Sequence, residues 1–164
     1  MPILGTRQPE FLSVDALTRL RRYDGKHDFA LEWYRDPQTV FLIDGDTEPY
    51  TPQRLKRMYE YLDAHGELYF IERLQDRNFV PIGDVTFWQK DMPIVIGDRA
   101  YQGKGIGRRV IQTLIERAKF LQYPCIFVNE IYDTNCASRK CFESAGFRAY
   151  EKTEKGSRFK LNLL

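Results

Sequence analysis

At 164 residues the chain has the length for one full core and is short for two, so a single domain over residues 1–164 is expected. Hydrophobic residues at 43% and charged residues at 29% exclude a disordered chain, and a net charge of +2 is too small to argue for a nucleic-acid partner. Cys125, Cys136 and Cys141 lack CxxC spacing and stand far from His27 and His65, which argues against a metal site and against a disulfide framework.

In chain order, "LTRLRRY" (17–23) reads as an edge strand, and "DFALEWYRD" (28–36) as a short helix ended by Asp36-Pro37. Thr51-Pro52 is a helix start and Gly66 a stop, which predicts a helix over 52–64. Residues 67–74 and 80–89 flank the turn-like "QDRN" and read as a hairpin, followed by a short buried strand, "PIVIGD" (93–98). Within 105–121, Ile106, Val110, Ile111, Leu114, Ile115, Ala118 and Leu121 share one helical stripe. A strand at 125–132, a helix at 135–145 closed by Gly146 and a final hairpin complete an α+β pattern around a mixed, mostly antiparallel sheet. No apolar run approaches the roughly 18 residues of a membrane span, and "MPILGTRQPE" lacks the apolar stretch of a signal peptide. A cytosolic protein without a membrane partner is expected.

The stretch "AYQGKGIGRRVI" (100–111) places Gly103, Gly105 and Gly107 directly before the predicted helix. Such glycines let backbone N–H groups converge on an anion at the positive end of a helix dipole. The dinucleotide fingerprint would require glycine where Arg108 stands, and the P-loop requires a Gly-Lys-Ser/Thr string that the chain lacks. Between residues 101 and 119 five Lys or Arg stand against one Glu, which suits a ligand carrying several phosphate charges.

Gln102-x-x-Gly105-x-Gly107 after a short strand resembles the pyrophosphate loop of the GNAT superfamily of acetyl-CoA-dependent N-acetyltransferases. "NCASRKCFESAGF" (135–147) matches the family pattern in which an asparagine opens a helix and Gly-Phe closes it. The resemblance implies a GNAT fold with acetyl-CoA as donor substrate. It further implies cofactor contacts from Ile96, Gly97, Gln102, Gly103, Lys104, Gly105, Ile106, Gly107, Asn135, Ser138 and Phe142. It places an oxyanion-binding backbone N–H around Ile96 to Asp98. Many family members carry a thiolate-protonating tyrosine where this chain has Phe142, which leaves water, Tyr132 or Tyr101 for that role. Cys141 is expected to pack rather than to act as a nucleophile.

Acetyl transfer needs a neutral amine, yet an alkyl amine with a pKa near 10 is only roughly one part in a thousand neutral at pH 7. A carboxylate must remove a proton, directly or through water. Asp98, at the end of the strand before the loop, and Glu130, within the apolar "IFVNEIY", are the two candidates for catalysis or substrate binding. A turn cap for Asp98 and an ion pair for Glu130 are the structural alternatives.

Residues 24–50 hold seven Asp or Glu against one Lys and one Arg, with Trp33 and Tyr34 among the aromatics. The resemblance places this region at the wall of the acceptor site, where the mixture would favour a cationic acceptor; a solvated acidic face is the structural alternative. With Asp98, Glu130 and Asn135 it looks similar to the aminoglycoside 6'-N-acetyltransferases, which implies a polyamino-sugar acceptor and, with it, antibiotic resistance. A protein N-terminus or lysine, a polyamine, and a non-catalytic acetyl-CoA sensor are the alternatives. The expected partner is a small-molecule amine, and the expected assembly a monomer or homodimer.

Overall fold

The computed structural model describes residues 1–164. Five strands form one antiparallel sheet in the order β1-β2-β3-β4-β5: Phe11–Asp15, Thr18–Arg22, Glu67–Gln75, Asn78–Phe87 and Ile94–Ile96. Three more, β6 (Cys125–Tyr132), β7 (Arg148–Lys152) and β8 (Gly156–Asn162), form a second antiparallel sheet ordered β6-β8-β7. The α+β class is as expected, but the strands fall into two sheets rather than one. The strand over 18–22 is also not an edge, because β1 pairs along its outer side.

Helices α1 (Pro37–Asp44) and α2 (Pro52–His65) precede β3, and α3 (Ile106–Phe120) and α4 (Cys136–Ser144) flank β6. Asp28–Arg35 is a 3-10 helix, and Pro37 opens α1 instead of ending structure there. Proline at the first helical position has no N–H to leave unpaired, and Asp36 before it caps the helix by accepting from the Gln38 N–H. The stop at Pro37 was therefore also a start.

Helix α2 follows its cap as expected: Thr51 accepts from the Arg54 N–H, and Leu55, Tyr59 and Leu62 bury one stripe. Gly66 ends it for a packing reason. Its backbone is extended at φ −148, and a β-carbon there would collide with Trp88, Phe87 and Thr86 of the neighbouring strand.

Two apolar cores lie on opposite sides of the first sheet. One joins Leu20, Ile71, Val85 and Phe87 to the buried stripe of α3 and to Ile126, Val128 and Phe147. The other gathers Trp33, Tyr34, Val40, Leu55, Tyr59 and Phe70 beneath α1 and α2. Buried among the latter is Asp84, which accepts hydrogen bonds from Tyr34 (2.6 Å) and Tyr59 (2.8 Å). Burial pushes its carboxyl up from 3.8 to about 6, and the two tyrosine bonds only partly oppose that.

The direction of this shift fixes a pH dependence. A carboxyl whose folded pKa lies above its unfolded value contributes stability that is fully present below the unfolded pKa and is lost as pH rises through the folded pKa. Urea unfolding should therefore show the wild type losing stability relative to Asp84→Asn between about pH 4 and pH 6. A constant difference between the two proteins across that window would contradict the assignment.

Candidate active site

The two sheets touch at one end and part at the other. The Phe127 N–H donates to the Gln89 carbonyl (2.9 Å), and the Asn129 N–H to Asp91 Oδ1 (3.0 Å). Beyond these ties no ladder joins β5 to β6. Along β5, the Thr86 N–H donates to the Pro93 carbonyl and the Gly97 N–H to the Ile82 carbonyl, so Pro93 and Gly97 face β4. Alternation in an antiparallel pair then turns the peptide groups of Ile94 and Ile96 to the open edge. Of the N–H groups expected to serve an oxyanion, those of Gly97 and Asp98 are spent on the Ile82 carbonyl, and that of Ile96 faces the cleft.

The opening holds two adjoining cavities of about 240 and 210 Å³. Both are lined by Leu42, Ile43, Ile94, Val95, Asn135 and Ser138, so they are one cleft with two ends. Leu42 and Ile43 belong to α1, which roofs the cleft.

The larger end lies against the glycine-rich loop, with Gly103, Gly105, Ile106 and Gly107 in its wall. Gly105 caps α3 in the left-handed region at φ 79, a conformation an L side chain rarely adopts. From Gly103 through Arg108 no backbone N–H donates to a protein acceptor, so the loop and the first turn of α3 present donors to one space. Gln102 pins this loop to the strand end by donating from Nε2 to the Ile96 carbonyl (2.8 Å). Gly107 lies close to Cys141, whose thiol burial pushes up, so it stays protonated and packs in the wall. Lys104 is exposed and lines neither end. Tyr101 lines the larger end and accepts from Gln75 Nε2 at 2.6 Å.

The smaller end is lined by Asp91, Asn129, Glu130, Tyr132 and Phe142. A bulge between Val128 and Ile131 interrupts pairing with β8, so both of these residues reach the core although three apart. Glu130 sits in that bulge, exposed and without a hydrogen-bond or ion-pair partner in the protein. Asp91 is committed by contrast, accepting from the backbone N–H groups of Met92 and Asn129. Phe142 is 1% exposed and meets Phe147 edge to face at 5.2 Å, which fills the tyrosine position with hydrocarbon. Asn135 caps α4 by accepting from the Ser138 N–H (3.1 Å), and its side-chain amide points at the Leu42 carbonyl.

Other candidates lie away from the cleft wall. Asp98 lines neither end, and its Oδ1 caps the turn at the Ala100 N–H (3.0 Å). Tyr34 is buried, with its hydroxyl given to Asp84. Trp33 is buried against Gly97, where a β-carbon would collide with the Trp33 Cγ, Cδ2 and Cβ atoms. It shapes the strand end behind the cleft. Sequence reasoning missed Leu42 and Ile43 because the proline at 37 concealed the helix that carries them.

A splayed pair of strands, a helix start with free backbone N–H groups and a capped helix across the gap frame the cleft. The acetyltransferase (GNAT) family model matches residues 27–147, and the chain belongs to this family. It is an acetyl-CoA-dependent N-acetyltransferase. Several solved structures share its fold. A domain from Methanocaldococcus jannaschii DSM 2661 is 22% identical with a TM-score of 0.78, covering 91% of this chain and 100% of that one. The aminoglycoside acetyltransferase AAC(6')-Ib, in complex with coenzyme A, is 18% identical with a TM-score of 0.68 over 89% of this chain and 95% of its own. RimL, a ribosomal L7/L12 α-N-protein acetyltransferase in complex with coenzyme A, is 14% identical with a TM-score of 0.72 over 93% and 98%. No curated protein sequence matches the chain. No helix is long and apolar enough to cross a membrane.

Proposed function

We propose that the enzyme transfers acetyl from acetyl-CoA to a primary amine of a cationic small molecule, by direct attack of the amine on the thioester. The observation that carries this reading is Glu130, an unpartnered carboxylate at the smaller end of a cleft in which no Lys or Arg lines either end. A protonated amine entering there meets a negative charge and no cation in the cleft wall. An aminoglycoside 6'-amine is the specific acceptor we favour. A protein N-terminus presents the same charged group and is the second reading, because the open, exposed bulge at Glu130 would admit a chain end as well.

In this mechanism the free N–H groups from Gly103 to Arg108 hold the pyrophosphate of acetyl-CoA, aided by the dipole of α3. The pantetheine arm runs between β5 and β6 under Leu42 and Ile43. The acetyl carbonyl then lies along the open edge of β5, where the Ile96 N–H stabilises the developing oxyanion. Glu130, directly or through one water, removes the proton that frees the amine lone pair. The C–N bond forms to give a tetrahedral adduct, the nitrogen gives up its second proton to solvent, and the adduct collapses with loss of the C–S bond as the departing thiolate takes a proton from Tyr132 or solvent. Asp98, Trp33 and Tyr34 support the strand end and loop from behind.

Thiol release from acetyl-CoA, assayed against a polyamino sugar, a polyamine, a peptide with a free N-terminus and a neutral-bodied primary amine, tests the acceptor class. The cationic small molecules should show the highest kcat/KM, and equal turnover of the neutral amine would overturn the reading. For proton delivery, Tyr132→Phe should lower kcat several-fold, whereas Tyr101→Phe should not, since Tyr101 lines the cofactor end and Tyr132 the end that holds Glu130. Unchanged kcat in both variants would assign the proton to solvent.

A further inference from the structure

Helix α1 has only eight residues, too few to hold its own conformation in water, so its place over the cleft depends on tertiary ties. An aspartate stands at each of its ends. Asp44, at the C-terminal end, accepts from the Tyr50 hydroxyl and from Arg54 Nη2, both at 2.9 Å, which anchors that end to the start of α2. The same end reaches β6, since a β-carbon at Gly45 would stand 3.7 Å from the Tyr132 ring. Asp36, at the N-terminal end, takes both arms of the Arg99 guanidinium, Nε at 2.5 Å and Nη2 at 2.6 Å. Arg99 lies in the 3-10 turn (Arg99–Tyr101) that leads into Gln102 and the glycine-rich loop. The helix thus crosses the gap between the sheets. One end is fixed to the scaffold and the other to the loop beside the cofactor end.

We propose that the Asp36–Arg99 pair positions α1 as the roof of the cleft, tying Leu42 and Ile43, which line both its ends, to the loop that faces the cofactor. Asp36 and Arg99 touch neither end of the cleft themselves; they are positioning residues. The Asp36 side chain is 15% exposed and Arg99 61%, so the pair lies half in solvent, where ion pairs contribute little to global stability. Its effect is on where the roof sits. The Arg99 guanidinium holds the Asp36 carboxyl below the usual carboxylate range, so the tie persists at neutral pH and weakens with salt. The inference rests on the cleft being the acetyl-CoA site and needs no particular acceptor.

Asp36→Asn retains a capping residue for α1 while removing the charge, and Arg99→Gln removes the other partner. Hydrogen exchange over residues 38–44 should accelerate about ten-fold in either variant, with urea unfolding of the whole protein nearly unchanged. With a polyamino sugar as probe, KM for the amine should rise about ten-fold and acetyl-CoA affinity should fall with it, because Leu42 and Ile43 line both ends of the cleft, while kcat stays within about two-fold, the pattern of lost ground-state positioning. The double variant should be no worse than either single one, and Arg99→Lys should recover part of the effect. Wild-type exchange over 38–44 in both single variants would overturn the proposal, as would additive effects or a matching loss of global stability. Because exchange needs no acceptor, it decides the matter even if the wild type acetylates none of the amines tested, a result that would count against the proposed acceptor class instead.

Discussion

Glu130→Gln should lower kcat with a polyamino-sugar acceptor by about 10²-fold, the usual scale for loss of a general base. Acetyl-CoA affinity should stay at the wild-type value, because Glu130 lines the smaller end of the cleft and the free N–H groups from Gly103 to Arg108 face the larger one. Stopped assays of thiol release, with calorimetry on acetyl-CoA, separate the two quantities. If Glu130 only attracts the cation, KM rises and kcat stays near wild type. Asp98→Asn is the matched control: asparagine can still cap the Ala100 N–H, so its effect should be small. Wild-type kinetics in Glu130→Gln would remove this residue from the chemistry, and a 10²-fold loss in Asp98→Asn instead would move the base to the end of β5.

Gly105→Val should weaken acetyl-CoA binding by at least about ten-fold, and the cause is conformational. Space is not the obstacle, since a β-carbon at Gly105 would meet nothing nearer than Arg109 Nη1 at 3.7 Å. Its φ of 79 is the difficulty, because left-handed backbone costs an L residue roughly 1–2 kcal/mol and a β-branched one more. The valine variant must either carry that strain or re-form the cap of α3, which turns the free N–H groups away from one another. Asparagine tolerates the left-handed region, so affinity should fall in the order glycine, asparagine, valine. Thermal unfolding of the unliganded variants reports the strain alone. Unchanged acetyl-CoA affinity in a folded Gly105→Val protein would displace the phosphate site from this loop.

Several features of the site were legible because they depend on local chemistry. A cap followed by an apolar stripe is written in adjacent residues, so α2, α3 and α4 could be read from Thr51-Pro52, from the Ile106–Ala118 stripe and from Asn135 with Gly146. The glycine-rich loop belongs to the same class, since positive φ at Gly103 and Gly105 is a property of those residues. Helix α1 was not legible: Asp36-Pro37 is at once the end of one segment and the cap of the next, and only packing decides which reading applies. The roof residues Leu42 and Ile43 were lost with it.

By itself, then, the amino-acid sequence determined the elements around the cofactor loop, the loop's capacity for an anion and the family of the enzyme. The tertiary structure decided what each charged group does. Of three carboxylates on or between the strands, Asp84 is closed off between two tyrosines, Asp91 is taken by two backbone N–H groups and Glu130 alone opens to the cleft with no partner. A carboxylate's role is set by its neighbours in space, by burial and by the donors that reach it. Here those neighbours come from chain segments far apart in sequence, with Tyr34 50 residues from Asp84 and Asp36 63 residues from Arg99. No local pattern records such pairings, so the chemistry of the cleft is decided only when the two sheets part and α1 closes over the gap.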